Sequence, residues 1–423
     1  MNSYLNLDLT QRQKALKELM SLYNEYKSQE LSLDLSRGKP NSTQLDESQE
    51  LLSVPLTREE CFSESGLDCR NYGLVDGVPE VKKLLSDIYN IDPKKIIVGG
   101  NSSLQLMYDT LMRAMLFGFA DSERAWCKEE KIKWICLVPG YDRHFKITET
   151  LGFEMISVKI SKTGPDMDEV ERLVKDPAVK GIWCVPKYSN PTGITFDEQT
   201  VRRLVSMKCA APDFKIFWDN AYAIHDFNEN GDELVNIFDV AGEYGTEDRV
   251  MYFSSTSKVT FAGSGISFMA ASLANIAKIL PHVSVQTIGF DKINQLRHLK
   301  FLKNKENVRS HMLKLGALTY RKFDIALKGL EKLEGLGIAN WTKPNGGYFI
   351  SLDVMPGTAK RVYNLMKEAG VTLTGVGATF PYGIDPEDSN LRIAPTYPSD
   401  ADLKLAIDIL VLTVKIAALE KLA

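Results

Sequence analysis

The sequence predicts an α/β protein: a mainly parallel sheet sandwiched by helices, with a smaller α+β unit formed by both chain termini. Three observations carry this. From about residue 96 to 272, short and nearly uninterrupted apolar runs alternate with helical patterns. Such runs belong to parallel strands covered on both faces, since a strand with one wet face alternates apolar and polar residues. Beyond about residue 335 the texture changes to short strands with turns, closed by one long helical stretch at 400–422. A chain of 423 residues is also too long for one ordinary core, and its 44% hydrophobic and 25% charged residues fit a globular protein.

In chain order, Thr10-x-x-Gln13 has the form of a capping box, and Leu16, Leu19, Met20 and Tyr23 repeat at helical spacing, which predicts a helix over 10–28. Leu33 to Asn41 is a short extended run opening into a Gly/Pro turn with two cations, Arg37 and Lys39. It reads equally as a solvated loop or as an anion-binding rim. Residues 42–70 are polar and irregular. Pro79, with Val81, Leu84, Leu85 and Ile88 on one face, predicts a helix over 79–90. Ile96-Ile97-Val98 is a strand, followed by Gly99-Gly100-Asn101-Ser102-Ser103 and a helix over 103–118. A Gly/Ser turn at a helix start presents free N–H groups at the positive end of the dipole, where an anion can bind.

Further strands are predicted at 134–138, 153–160, 181–185, 214–218, 250–257 and 266–271, and helices from Asp166 and over 197–208. Four of these strands run into unusual residues: Tyr141 and His144, Asn190, Asp219 and Tyr222, and Lys258. In open parallel sheets ligands bind beyond the carboxyl ends of the strands. The Gly100–Ser103 turn opens on the same edge, and so many polar strand ends on one edge point to a site. Lys258 follows Ser254-Ser255-Thr256-Ser257. An amine packed against apolar neighbours loses protons more readily and can form a Schiff base with a carbonyl, while hydroxyls at 255 and 257 can hold a phosphate beside it. An amine, a carboxylate, donors for a phenolic oxygen, an aromatic platform and an anion site are together what pyridoxal phosphate requires. In that reading Asp219 keeps the ring nitrogen protonated and Asn190 and Tyr222 bond the ring hydroxyl. Tyr141 stacks on the ring, and His144 orients Asp219.

The motifs Asn71-Tyr72-Gly73, Ser189-Asn190-Pro191-Thr192-Gly193, Asp219-Asn220-Ala221-Tyr222, Ser255-Thr256-Ser257-Lys258, Asn345-Gly346-Gly347-Tyr348-Phe349 and Leu391-Arg392-Ile393 resemble, in order and spacing, those of class I, fold type I pyridoxal-phosphate aminotransferases. The Ser36-Arg37-Gly38-Lys39-Pro40 and Thr256-Ser257-Lys258 contexts are similar to the aspartate aminotransferases of subgroup Ic. The resemblance spans about residues 30–400. It implies a seven-stranded, mainly parallel central sheet. It also implies transfer of an amino group between an amino acid, aspartate first, and 2-oxoglutarate. Lys258 would be both Schiff-base lysine and proton carrier, acting with Asp219 and Tyr222. Gly100, Asn101, Ser102, Ser103, Tyr141, Asn190, Ser255 and Ser257 would bind cofactor. Arg392, Asn190 and Gly38 would bind substrate. A dicarboxylic substrate needs a second cation besides Arg392; the candidates are Arg37 first, next to Gly38 where substrate can approach the backbone, then Lys39, with Arg143 the poorer one because it starts a helix and can face solvent. Tyr72 would reach the phosphate in a neighbouring subunit, which implies a homodimer. The chain departs from the class at one point: the phosphate-binding arginine expected eight residues after the lysine is Ile266.

The domain division expected is residues 1–50 as an arm and part of the small domain, 51–309 as the large domain and 310–423 as the rest of the small one. Lyase, racemase or decarboxylase chemistry, or an alanine or aromatic substrate, would use the same lysine and aspartate. An aminotransferase-like transcriptional regulator would need a basic winged-helix segment, and the residues before Leu33 are not basic. A net charge of −4 without a Lys/Arg block argues against nucleic acid or anionic membrane as partner. Six scattered cysteines without metal-ligand spacing argue against a metal site or disulfide framework and fit a reducing cytoplasm. No signal peptide or membrane span is expected.

Overall fold

The computed structural model describes residues 3–423. The strands in chain order are β1 (Leu33–Asp34), β2 (Ile96–Val98), β3 (Lys133–Val138), β4 (Glu154–Ser161), β5 (Gly164–Pro165), β6 (Val179–Cys184) and β7 (Lys215–Asp219). Then come β8 (Val250–Ser255), β9 (Ser267–Ala271), β10 (Ala339–Trp341), β11 (Ile350–Val354), β12 (Val371–Thr372) and β13 (Asn390–Ile393). The central sheet has eight strands in the order β2-β9-β8-β7-β6-β3-β4-β5. Neighbours from β8 to β4 are parallel, whereas β9 is antiparallel to both β8 and β2. The seven strands expected become eight because the chain turns back after Ser161 and pairs Gly164 and Pro165 with Ser161 and Ile160. A two-residue hairpin return carries no apolar periodicity that a sequence could show.

β6, β7, β8 and β9 are buried at every residue. One face of the sheet packs on a core containing Ile182, Ile216, Trp218 and Phe268, and the other on one containing Trp134, Trp183, Phe217 and Phe253. A further core joins Tyr23, Leu33 and Leu35 to Phe323, Ile350, Leu391 and the helix Asp400–Leu422. There β1 lies parallel to β12, and β11 pairs with both β10 and β13. The N-terminal segment is thereby stitched to the end of the chain, and the Ser36–Gly38 loop is carried over the edge of the large sheet.

The first long helix is Leu9–Lys27, and its capping box is Asp8 with Gln11, two residues ahead of the expected Thr10 and Gln13. Asp8 accepts from Gln11 N–H at 2.8 Å and Gln11 Oε1 accepts from Asp8 N–H at 3.0 Å. Aspartate ranks above threonine as a cap, so the carboxylate sets the start. The stretch 42–70 is less irregular than expected: Ser42–Asp46 is a short helix capped by Asn41, and two 3-10 turns follow. The helix Pro79–Tyr89 ends where Asn90 turns left-handed at φ 53°, and Ser103–Phe117 and Asp142–Thr150 lie close to expectation or fill gaps in it. Among the described residues no helix is long and apolar enough to cross a membrane, and no cluster of His, Cys, Asp and Glu could hold a metal ion.

Candidate active site

Because β3, β6, β7 and β8 are parallel, their carboxyl ends share one edge, and a cleft of about 620 Å³ opens there. Tyr141 and Asn190 follow β3 and β6, Asp219 ends β7, and Lys258 follows β8; all four line the cleft. The smaller unit closes it with Ser36, Arg37 and Gly38 from the loop after β1, Thr374 after β12, Phe349 before β11 and Arg392 on β13.

Lys258 is half-buried. Its Nζ lies 5.1 Å from the centre of the Tyr222 ring and 5.7 Å from that of Tyr348. Burial lowers the pKa of its amine, while the Asp219 carboxylate opposes the shift. Asp219 is 3% exposed. One of its oxygens, Oδ2, is 2.9 Å from His144 Nε2, and the other, Oδ1, is buried without any hydrogen-bond partner among the described residues. His144 stacks on Trp183 with ring centres 4.4 Å apart, so the imidazole is fixed in plane. Burial first, then the Asp219 charge, pushes the Tyr141 phenol up to about 12, and burial raises Tyr222 well above the usual phenol range. Both are therefore neutral donors at any physiological pH.

At the other end of the cleft lie Ser102, Ser103, Ser255 and Ser257. Ser102 caps the helix 103–117 without giving its side chain to the first turn, so the N–H groups there stay free. Ser255 Oγ donates to Ser257 Oγ at 3.0 Å and Ser257 Oγ to the Asn101 carbonyl at 3.2 Å. Gly100 and Asn101 do not line the cleft: Asn101 turns its amide to the carbonyls of Ala262 and Gly263, and its carbonyl positions Ser257. Tyr72 is 74% exposed on the surface and does not line the cleft. Ile266 is buried in the core and its backbone pairs with Thr256. The cations lining the cleft are Arg37, Arg143, Lys258 and Arg392.

Arg392 donates from Nη1 to Asp142 Oδ1 at 2.9 Å and to Asn190 Oδ1 at 3.4 Å, and from Nε and Nη2 to Thr374 Oγ1 at 3.3 and 3.2 Å. The Phe349 ring centre lies 5.0 Å from its guanidinium carbon. Gly38 backs that ring so closely that a Cβ there would stand 2.2 Å from Phe349 Cζ. Arg37 is exposed on the rim and makes no ion pair among the described residues, whereas Lys39 sits 3.7 Å over the Tyr397 ring and outside the cleft lining. Arg143 is exposed yet also lines the cleft, so its helix-start position does not remove it. Sequence reasoning did not single out Asp142, Thr374 or Phe349 as site residues, although Phe349 closes the Asn345–Phe349 motif. Asp142 reads locally as an ordinary acid in a first helical turn, and the other two as strand residues.

A mixed sheet between helical layers, a lysine and a carboxylate lining one cleft at its edge and an arginine brought over from a terminal unit are the arrangement expected of a fold type I aminotransferase. The sequence model of a family described as aspartate amino-transferase matches residues 8–423. A putative aminotransferase of Mycolicibacterium smegmatis is 47% identical over 95% of this chain and 94% of its own length. An aspartate aminotransferase of Corynebacterium glutamicum is 46% identical over 95% of this chain and 93% of its own. The crystal structure of an aspartate transaminase from the same species superposes with a TM-score of 0.97 at 44% identity, covering 100% of this chain and 99% of that one. The chain belongs to the aspartate amino-transferase family, and it is an aminotransferase.

Proposed function

We propose that this aminotransferase works with pyridoxal 5'-phosphate and exchanges the amino group between aspartate and 2-oxoglutarate. One observation carries the cofactor reading. Asp219 holds a buried, unpartnered carboxylate oxygen in the same cleft as a half-buried lysine. An orphaned acceptor of that kind is costly unless a donor arrives, and a protonated ring nitrogen is such a donor. Lys258 is the attachment point. Asn190 and Tyr222 serve the ring oxygen, Tyr141 the ring face, and Ser102, Ser103, Ser255 and Ser257 the phosphate, with neutral donors in place of the arginine that Ile266 replaces. When bound, the cofactor supplies an electron sink for the pair of electrons left when the substrate α-proton departs.

The chain's own residues do the rest. Asp219, oriented by His144, keeps a negative charge against the ring nitrogen. Lys258, its pKa lowered by burial, can hold a proton and return it, which is what transfer between two carbons requires. Arg392, on its Phe349 platform, binds the α-carboxylate, and Arg37 at the rim meets the distal one. Aspartate is supported by the names of the relatives 46% and 44% identical. The small domain is assigned to residues 1–50 and 310–423 and the large one to 51–309. A homodimer is supported by an exposed apolar surface at Tyr72, Val285 and Ile288, where Gly73 N–H bonds the Ile288 carbonyl. A cytoplasmic location is in keeping with six unpaired cysteines. The test is direct: purified protein with aspartate and 2-oxoglutarate should form glutamate and oxaloacetate faster than alanine or an aromatic amino acid yields glutamate. A preference for either of the latter would replace aspartate as the substrate.

A further inference from the structure

The guanidinium meant for a substrate carboxylate already holds one. Arg392 has four partners, and three are neutral: the Asn190 amide oxygen, the Thr374 hydroxyl and the Phe349 face. Those three fix the plane of the group. The fourth, Asp142 Oδ1 at 2.9 Å, is the one charged partner. It is also the one with a way out, because the Asp142 side chain is 32% exposed against 9% for Arg392.

An arginine has five N–H donors, and a carboxylate bound bidentately takes two of them. With Nε and one Nη2 position on Thr374 and Nη1 on Asp142 and Asn190, an incoming carboxylate must take a donor from a present partner. If it took one from Asn190 or Thr374, two carboxylates would crowd one cation in a half-dry cleft, and like charges at close range are costly. If it takes the place of Asp142, the released carboxylate swings to water. It remains at the first turn of the helix Asp142–Thr150, where the dipole favours negative charge.

We propose that Asp142 is a specificity-determining residue: its carboxylate fills the Arg392 fork in the absence of substrate and is the group that a substrate's α-carboxylate exchanges with. The inference rests on reading Arg392 as the substrate-carboxylate residue of an aminotransferase. Asp142 then sets a threshold that both the amino acid and the oxo acid must overcome, since both carry that carboxylate. A ligand lacking a carboxylate has nothing with which to make the exchange. Arg37, at the far end, separates dicarboxylic from monocarboxylic substrates, whereas Asp142 acts on both sorts equally.

The experiment compares wild type with Asp142→Asn, which keeps the shape but removes the charge, and with Asp142→Ala. Steady-state KM and kcat are measured for both substrates. Succinate, a dicarboxylate that cannot react, is titrated calorimetrically against each holoenzyme. Both variants should lower KM for amino acid and oxo acid together and tighten succinate by about tenfold, with kcat moving less than KM. In an Arg392→Ala background, Asp142→Asn should leave succinate binding unchanged, because the exchange needs both members. KM and succinate affinity that stay the same or worsen in both variants would overturn the proposal and make Asp142 a residue that only orients Arg392. If no substrate pair is transaminated by wild type, the aminotransferase reading fails instead, and the succinate titrations still decide the exchange.

Discussion

His144 Nε2 stands 2.9 Å from Asp219 Oδ2, while Asp219 Oδ1, equally buried, has no partner. The carboxylate is thus held by one oxygen and presented by the other. This asymmetry predicts the effect of Asp219→Asn. The amide keeps the shape but not the charge, so the ring nitrogen of the proposed cofactor would lose its counter-ion. Transamination should fall by on the order of 3–5 kcal/mol in the barrier, as expected for a charge-assisted contact in a dry site. Folding, followed by circular dichroism, should change little. Turnover near that of wild type would show that the ring nitrogen is served by another group.

Gly38 and Phe349 give a steric prediction. A methyl at Gly38 would stand 2.2 Å from Phe349 Cζ, so the ring must tilt and the Arg392 platform with it. Gly38→Ala should raise KM for both substrates and cost about 1–3 kcal/mol in stability by overpacking. A variant with unaltered KM would mean that Phe349 can turn away without disturbing Arg392.

His225 gives a prediction about pH. It is buried beside Tyr222 and Tyr348, and neither ring nitrogen has a hydrogen-bond partner among the described residues. Burial first, then the charge of Lys258, pushes its pKa down to about 3. The folded protein keeps this histidine neutral, while the unfolded chain protonates it near 6.5. Between those values the unfolded state binds the extra proton, so stability is complete above pH 6.5 and is lost as pH falls towards 3. From pH 7 to pH 5 this group accounts for about 2 kcal/mol. Urea unfolding at the two pH values should show His225→Leu losing about that much less than wild type. Equal losses would place the acid sensitivity elsewhere.

Much of this was legible in the sequence because it is local. The β6, β7 and β8 strands announce themselves as apolar runs without alternation, and their polar ends at Asn190, Asp219 and Lys258 mark the edge where the cleft opens. What could not be read depends on distant partners. Asp142 and Arg392 are 250 residues apart, and only the fold reveals that one closes on the other. The requirement for glycine at 38 comes from Phe349, and Lys39 is drawn from the cleft by Tyr397. The β5 return at Gly164–Pro165 is two residues long and has no periodicity to detect.

Arg37 and Arg143 are both exposed on the cleft lining without an ion-pair partner among the described residues, and Lys39 is engaged by Tyr397; of the two, Arg37 is carried on the Ser36–Gly38 loop that closes the cleft. Arg37→Ala should therefore raise KM for aspartate and 2-oxoglutarate much more than for alanine and pyruvate. Equal increases for both pairs would assign Arg37 a structural part and move attention to Arg143.

The central claim is that Lys258 carries pyridoxal phosphate in this cleft, and chemical trapping tests it most directly. Pure holoprotein is reduced with borohydride, digested and mapped by mass spectrometry. The account predicts the phosphopyridoxyl mass on one peptide, at Lys258, and its loss from that peptide in Lys258→Ala. The modification found on a peptide without Lys258, or none found on holoprotein that is active, would contradict it.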